Sequence, residues 1–200
     1  MSATRRSVSL FWFPLAFIAA ALVFRWMKLT SEGMTLLPNF SPWMALAFTG
    51  TLVMPRALPW WTWPVAMLGI NAAALGVTQA LDPESLAIYA MYGAAALAAS
   101  RCRGSLNVLA ALAGAAFCGV LFYLVTNSAA WMVEPGYAKT LAGWWQAQTT
   151  GLPGFPPSWV FLKNSLLSDL AFSSLLLVAF KMEARVRAAD SMPWAARVTA

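Results

Sequence analysis

The stretch from Leu106 to Thr126 has the sequence LNVLAALAGAAFCGVLFYLVT and contains no charged side chain. A helix needs about 20 predominantly apolar residues to cross the ~30 Å hydrocarbon core of a bilayer. This stretch meets that length, and other apolar stretches follow one another along the chain. Only 10% of the 200 residues are charged, whereas a soluble domain has about 25%. A soluble core could not bury so much apolar surface, so the sequence predicts an all-α membrane protein.

Six apolar segments predict a bundle of six transmembrane helices, which forms one integral membrane domain over residues 1–200. The connection over 127–157 is long and rich in Trp, Gly and Pro. Such a connection is typical of a lid over a binding site, but an aromatic belt at the membrane interface would have the same composition. The predicted spans are 7–27, 41–54, 60–79, 85–100, 106–126 and 158–182.

The distribution of basic residues predicts the orientation of this bundle. Cytoplasmic loops of membrane proteins carry an excess of Lys and Arg. Nine of the thirteen Lys and Arg fall on one predicted side and four on the other, while the acids Glu32, Asp82, Glu84 and Glu134 fall on the side with four. Both termini are therefore predicted to be cytoplasmic. The nine are Arg5, Arg6, Arg56, Arg101, Arg103, Lys181, Arg185, Arg187 and Arg197, and the four are Arg25, Lys28, Lys139 and Lys163.

The composition argues against catalysis and against nucleic acid as a partner. The chain has no histidine, which is the commonest general base and metal ligand. It contains no phosphate-binding loop and no dinucleotide-binding fingerprint. The formal net charge of +6 follows from membrane topology and lipid contact. We therefore expect a protein that is not an enzyme, has no metal site and has no intrinsic cofactor.

Asp169 is the residue most indicative of function, because it lies about ten residues into the sixth predicted span. A carboxylate at membrane depth normally faces the interior of the bundle and has a partner there. Ser165 and Ser173 lie one helical turn away on either side, which makes a polar stripe. This stripe could line the floor of a pocket, or it could join helices through hydrogen bonds.

Three asparagines, Asn39, Asn127 and Asn164, lie near the predicted outer ends of the second, fifth and sixth spans. Their positions predict a polar cavity that opens outward.

Two stretches of the chain resemble a known family. Leu37–Ala47 has the form P-N-F-[ST]-P-x-x-A-L-A, and Phe161–Leu170 has the form F-[LF]-[RK]-N-[ST]-L-L-x-D-L. Thr126-Asn127 and the Tyr137–Gly143 stretch fit the pattern between them. Order and spacing are similar to those of the solitary vitamin B12 uptake proteins, which resemble the S components of energy-coupling-factor transporters.

The resemblance implies six helices and a vitamin pocket on the outer side. It implies that cobalamin is the transported ligand and that Ala16 and Ala20 in the first helix contact a coupling subunit that works with ATPases. It also implies a cobalt ligand, Cys or His, in the loop after the third span. Here that loop has Thr78 and Ala80 instead, and Ala80 occupies about the expected position.

Together, these observations predict a substrate-binding protein for corrinoid uptake in the bacterial inner membrane. The predicted pocket includes aromatic side chains such as Tyr89 and Tyr92, and flat aromatic rings suit contact with a corrin ring. An S component for another small vitamin and a structural or assembly subunit are the alternatives. The residues predicted to bind the ligand are Ala80, Thr78, Tyr89, Tyr92, Asn39, Asn127, Trp131, Asn164 and Asp169.

Overall fold

The computed structural model describes residues 12–30, 38–53 and 59–186, and these form helices and no strands. The start of the first predicted span and the end of the second lie outside the described residues, as do Arg5, Arg6, Glu32, Arg56, Arg187 and Arg197. Eight helices lie within the described ranges. They are α1 (Trp12–Thr30), α2 (Trp43–Val53), α3 (Thr62–Leu75), α4 (Val77–Ala80), α5 (Pro83–Arg101), α6 (Val108–Val133), α7 (Leu141–Gln148) and α8 (Ser158–Val186).

The all-helical architecture agrees with the prediction, but the membrane spans are less clear. Two segments, Val108–Val133 and Ser158–Met182, are long and apolar enough to cross a membrane. The helices α2 and α3 are apolar but shorter. Helix length and hydropathy therefore give two candidate spans in the described part of the chain, and they do not support six.

Helix α2 is the centre of the molecule. Every residue from Trp43 to Val53 is buried, and the middle of the helix, Leu46–Gly50, has π-helical geometry. It packs against α5, α6 and α8, while α6 and α8 have the most extensive contact with each other. Two hydroxyl groups on α2 are paired: Thr49 Oγ1 donates to Ser173 Oγ at 2.8 Å, and Thr51 Oγ1 accepts from Trp63 Nε1 at 2.7 Å. The buried Trp43 Nε1 has no hydrogen-bond partner among the described residues.

The ends of several helices follow from residues that cap them. Asp82 precedes α5 and accepts a hydrogen bond from Ser85 N at 2.6 Å, with Pro83 in the first turn. Asn107 likewise caps α6 by accepting from Ala110 N at 2.8 Å. Asp and Asn are favoured at this position because their oxygens satisfy amide groups that the helix leaves free. These caps place both starts within two residues of the prediction.

The prediction of one continuous outer loop over 127–157 was wrong in part. Helix α6 continues through Asn127 as far as Val133, and a separate helix, α7, forms within the predicted loop. Thr140 caps α7 by accepting from Gly143 N at 3.2 Å. The third predicted span also ends early: Gly76, with a φ of 88°, separates α3 from the short α4.

Candidate functional site

Six helices converge on a pocket that holds charged, polar and apolar side chains. It encloses about 570 Å³ of space, which includes the part that is open to the surroundings. Helices α1 and α8 supply its charges, and the turn before α2 supplies an amide and a hydroxyl. Four apolar side chains, a tyrosine and a second serine complete it. The lining residues are Arg25, Lys28, Asn39, Ser41, Met44, Met67, Ile88, Tyr92, Phe122, Ser165 and Asp169.

The turn before α2 presents two of these residues. Asn39 has a φ of 60°, a left-handed conformation that Asn adopts more readily than most residues. The Pro38 carbonyl accepts a hydrogen bond from Asn164 Nδ2 at 3.0 Å, and the Phe40 carbonyl accepts one from Lys28 Nζ at 3.4 Å. The turn is therefore fixed to α8 on one side and to α1 on the other, which holds Asn39 and Ser41 at the pocket.

Arg25 is positioned by a chain of buried polar groups. Its Nε and Nη2 donate to Asn71 Oδ1 at 3.2 and 3.1 Å. Asn71 Nδ2 in turn donates to the Tyr89 hydroxyl at 2.9 Å. Asn71 is only 2% exposed, so its amide is held firmly between the guanidinium and the phenol. The chain extends from α1 through α3 to α5 and fixes the direction of the Arg25 side chain.

Asp169 is buried and lines the same pocket. It is 3% exposed, and within the described parts of the chain its carboxylate receives no hydrogen bond and forms no ion pair. Its Oδ2 lies against Gly119 on α6, where a Cβ would meet it at 2.6 Å. The absence of a side chain at Gly119 is what gives the carboxylate room.

Tyr92 lies near charges of both signs. Its phenol interacts electrostatically with Arg25 and with Asp169, and Ser41 lines the same pocket. The ring stacks on Phe122, with centroids 5.2 Å apart and planes inclined by 26°. Tyr92 and Phe122 therefore form an aromatic wall of the pocket.

The polar stripe on α8 serves both purposes that the sequence allowed. Ser165 and Asp169 line the pocket. Ser173 bonds Thr49 on α2, and Asn164 bonds the turn before α2. The stripe therefore joins helices at its ends and contributes to the pocket between them.

The structure places the predicted ligand-binding residues in different environments. Asn39, Tyr92 and Asp169 line the pocket, and Tyr89 and Asn164 support it through hydrogen bonds. The other four lie elsewhere: Ala80, Thr78, Asn127 and Trp131.

The residue in the expected cobalt-ligand position, Ala80, is fully buried at the end of α4. Thr78, two residues earlier, is exposed. Neither lines the pocket.

Asn127 bonds only within its own helix in the described residues, whereas Trp131 and Lys139 hold the outer segment of the chain in place. Asn127 Nδ2 donates to the Tyr123 carbonyl of its own helix at 2.8 Å, and Trp131 Nε1 donates to the Ala138 carbonyl at 2.9 Å. Lys139 Nζ donates to the Trp131 carbonyl and, at 2.6 Å, to that of Glu134. The bonds of Trp131 and Lys139 fold the segment back against the end of α6, which makes their role structural.

Three acids on the predicted outer side lie close together at the start of α5 and the end of α6. Burial raises the pKa of Glu84, and the neighbouring Glu134 and Asp82 raise it further. Glu84 therefore keeps its proton to a higher pH than an exposed glutamate does. In the described residues, no group of three or more Cys, Asp or Glu side chains could hold a metal ion.

Sequence reasoning did not place Arg25 and Lys28 in the site and counted them only among the four basic residues of the predicted outer side. Their spacing gave a usable signal, because residues three apart share one face of a helix. It also missed the apolar members Met44, Met67, Ile88 and Phe122. Nothing in a single sequence indicates which apolar residues of different helices meet.

Comparisons with known proteins identify a family and no closer relative. A search of curated proteins and a search of solved structures found no match. A family model described as "Family of unknown function (DUF6580)" matches residues 6–191. Because the match covers most of the chain, the protein belongs to the DUF6580 family.

Proposed function

We propose that the protein is a multi-pass protein of the bacterial inner membrane that binds a vitamin-sized solute for uptake. In this proposal six segments cross the membrane and both termini are cytoplasmic. The two long apolar helices and the distribution of Lys and Arg support it.

The observation that carries the proposal is the pocket at the predicted outer side. Arg25 and Lys28 lie at the outer end of the first predicted span, and Asn39 and Ser41 precede the second. A concave site with apolar walls and a few convergent polar groups is typical of a small-molecule binding site. Its position suits a solute that arrives from outside the cell.

The geometry supports a vitamin smaller than a corrinoid best. The pocket space of about 570 Å³, open part included, is small for a corrinoid, which has a macrocycle and a nucleotide loop. Ala80 has no donor atom for cobalt and is fully buried. A corrinoid remains the second candidate, because the two motifs at Leu37–Ala47 and Phe161–Leu170 resemble those of the B12 uptake proteins.

Energy for uptake would come from other chains in this proposal, since the sequence has no phosphate-binding loop. Ala16 and Ala20 lie on α1 with exposed side chains. Small exposed residues let another helix approach closely. The exposed alanines on α1 therefore support the proposal that a coupling subunit, which works with ATPases, is the partner. Binding without chemistry is the activity that we propose for the chain itself.

Purified protein distinguishes the candidate functions by its ligand. If the solute is a corrinoid, protein incubated with cyanocobalamin and passed through a desalting column retains visible absorption. If it is a smaller vitamin, visible absorption is absent and one member of a vitamin panel raises the unfolding temperature. Neither result would be expected of a structural or assembly subunit, and their joint absence contradicts the proposal.

The proposed topology predicts which side of the membrane each loop faces. In a background with Cys102→Ser and Cys118→Ala, Thr78→Cys should react with an impermeant maleimide in intact cells. Ser105→Cys, which lies in a predicted cytoplasmic loop, should react only after permeabilisation. Both positions are exposed, so the comparison is matched for access. Equal labelling in intact cells would refute the orientation.

A further inference from the structure

The pocket holds charges of both signs that do not neutralise each other. Arg25 and Lys28 lie on α1 and Asp169 lies on α8, and all three line the same space. Among the residues that the structure describes, Asp169 forms no ion pair. Asp169 therefore shares the pocket with two cations and forms an ion pair with neither of them.

Asp169 is the group that most needs a partner. An ionisable side chain within a helical bundle is costly and is normally paired. This carboxylate is 3% exposed and receives no hydrogen bond from the described residues. Two neighbours do not provide one: among the described residues Tyr92 on α5 forms no hydrogen bond with it, and Gly119 on α6 has no side chain. A donor supplied by a bound molecule would satisfy it.

Arg25 has a fixed side-chain direction and an available donor. Among the described residues, its Nε and Nη2 both donate to Asn71 Oδ1, and Nη1 takes part in neither of these hydrogen bonds. A guanidinium fixed in this way is well suited to an anionic oxygen, because the entropy of ordering the side chain is already lost. Lys28 adds a second positive charge one turn along the same helix.

We propose that the solute is amphoteric, with an anionic group that binds Arg25 and Lys28 and an ammonium or N–H donor that binds Asp169. This inference rests on the proposed uptake function and specifies its substrate class. The anion is a carboxylate or a phosphate. The aromatic wall of Tyr92 and Phe122 packs against the apolar part of the solute that joins the two groups.

Pairs of probes that differ in the anion test the proposal. Two pairs differ in the anion alone: thiamine monophosphate with thiamine, and pantothenate with panthenol. The third pair is cyanocobalamin with dicyanocobinamide, which lacks the phosphate together with the rest of the nucleotide. Each is added to the detergent-purified full-length chain, and affinity is measured by equilibrium dialysis and by the shift in unfolding temperature. We expect the anionic member of at least one pair to bind at least tenfold more tightly. The pair that responds distinguishes phosphate from carboxylate and a small vitamin from a corrinoid.

Variants then assign each charge to its part of the solute. Arg25→Gln should weaken binding of the anionic member at least tenfold, so that the two members of the pair bind with similar affinity. Lys28→Gln should change the preference for the anionic member in the same direction, which keeps the test valid if Arg25→Gln does not fold. Asp169→Asn and Gly119→Ala should weaken binding of both members of the pair. The first variant removes the charge of the carboxylate, and the second displaces the carboxylate with a methyl group. Lys163→Gln, at an exposed lysine of α8 outside the pocket, should change nothing.

The outcomes separate this inference from the function on which it rests. If no probe binds, the uptake proposal fails and the inference fails with it. If a probe without an anion binds as tightly as its partner and Arg25→Gln leaves both affinities unchanged, the amphoteric assignment is wrong while solute binding stands.

Discussion

Replacement of Gly143 by alanine should strongly destabilise the outer segment of the protein. A Cβ at this position would lie 1.9 Å from the Ala138 carbonyl oxygen, which belongs to the backbone and cannot rotate away. Either the first turn of α7 opens or the peptide at Ala138 moves. Its movement would break the bond from Trp131 Nε1. Overpacking typically costs about 1–3 kcal/mol, and a backbone clash belongs at or above the upper end of that range.

Thermal unfolding followed by tryptophan fluorescence measures this effect, and limited proteolysis locates it in the residues between α6 and α8. Gly69→Ala is the matched control, because no atom lies within 4 Å of a Cβ placed there. We expect its unfolding temperature to stay close to that of the wild type. An unchanged unfolding temperature for Gly143→Ala would show that the segment from Ala138 to Gly143 is folded differently.

Replacement of Asn71 by alanine should be the most damaging change in the polar interior. It removes the acceptor of two bonds from Arg25 and the donor to Tyr89. A hydrogen bond to a charged group contributes about 1.5–3 kcal/mol, and a buried group left without its partner costs more than the bond is worth. We expect a loss of about 3 kcal/mol in the free energy of unfolding. We also expect weaker solute binding, since Arg25 loses its fixed direction.

Asn127→Ala is the control for this variant. Among the described residues, the Asn127 amide bonds only the carbonyl of Tyr123 one turn earlier on the same helix, so we expect a change of about a few tenths of a kcal/mol. The measurement is denaturant unfolding in detergent with solute binding on the same samples. Equal losses for the two variants would contradict a special role for the chain from Arg25 to Tyr89.

The sequence predicted the end of a helix where it contains a capping residue. It did not predict the end where polar residues lie inside the helix. Asp82 and Asn107 fix the starts of α5 and α6 through their side chains. The predicted end of α6 at Thr126 was seven residues too early. Asn127 and Ser128 lie just beyond that predicted end, and their side chains donate to carbonyls of the preceding turn while the helix continues.

The same limit applies to the candidate site. Asp169 was singled out by its depth in an apolar span, which is a local property of the sequence. Arg25 was not, because its partner Asn71 is 46 residues away and only the packing of α1 against α3 brings them together. Local patterns therefore predict that a polar residue needs a partner, and the fold determines which one it has.

The central helix α2 has a consequence for how the protein reaches its membrane. The eleven residues from Trp43 to Val53 span about 16 Å as a helix, roughly half of a ~30 Å hydrocarbon core. Pro42 and Pro55 bound this stretch, and every residue within it is covered by neighbouring helices. In the proposed topology, such a segment offers the insertion machinery little to recognise during synthesis. Its entry into the bilayer would depend on flanking helices already in place, which makes biogenesis of this protein an assembly step and not six independent insertions.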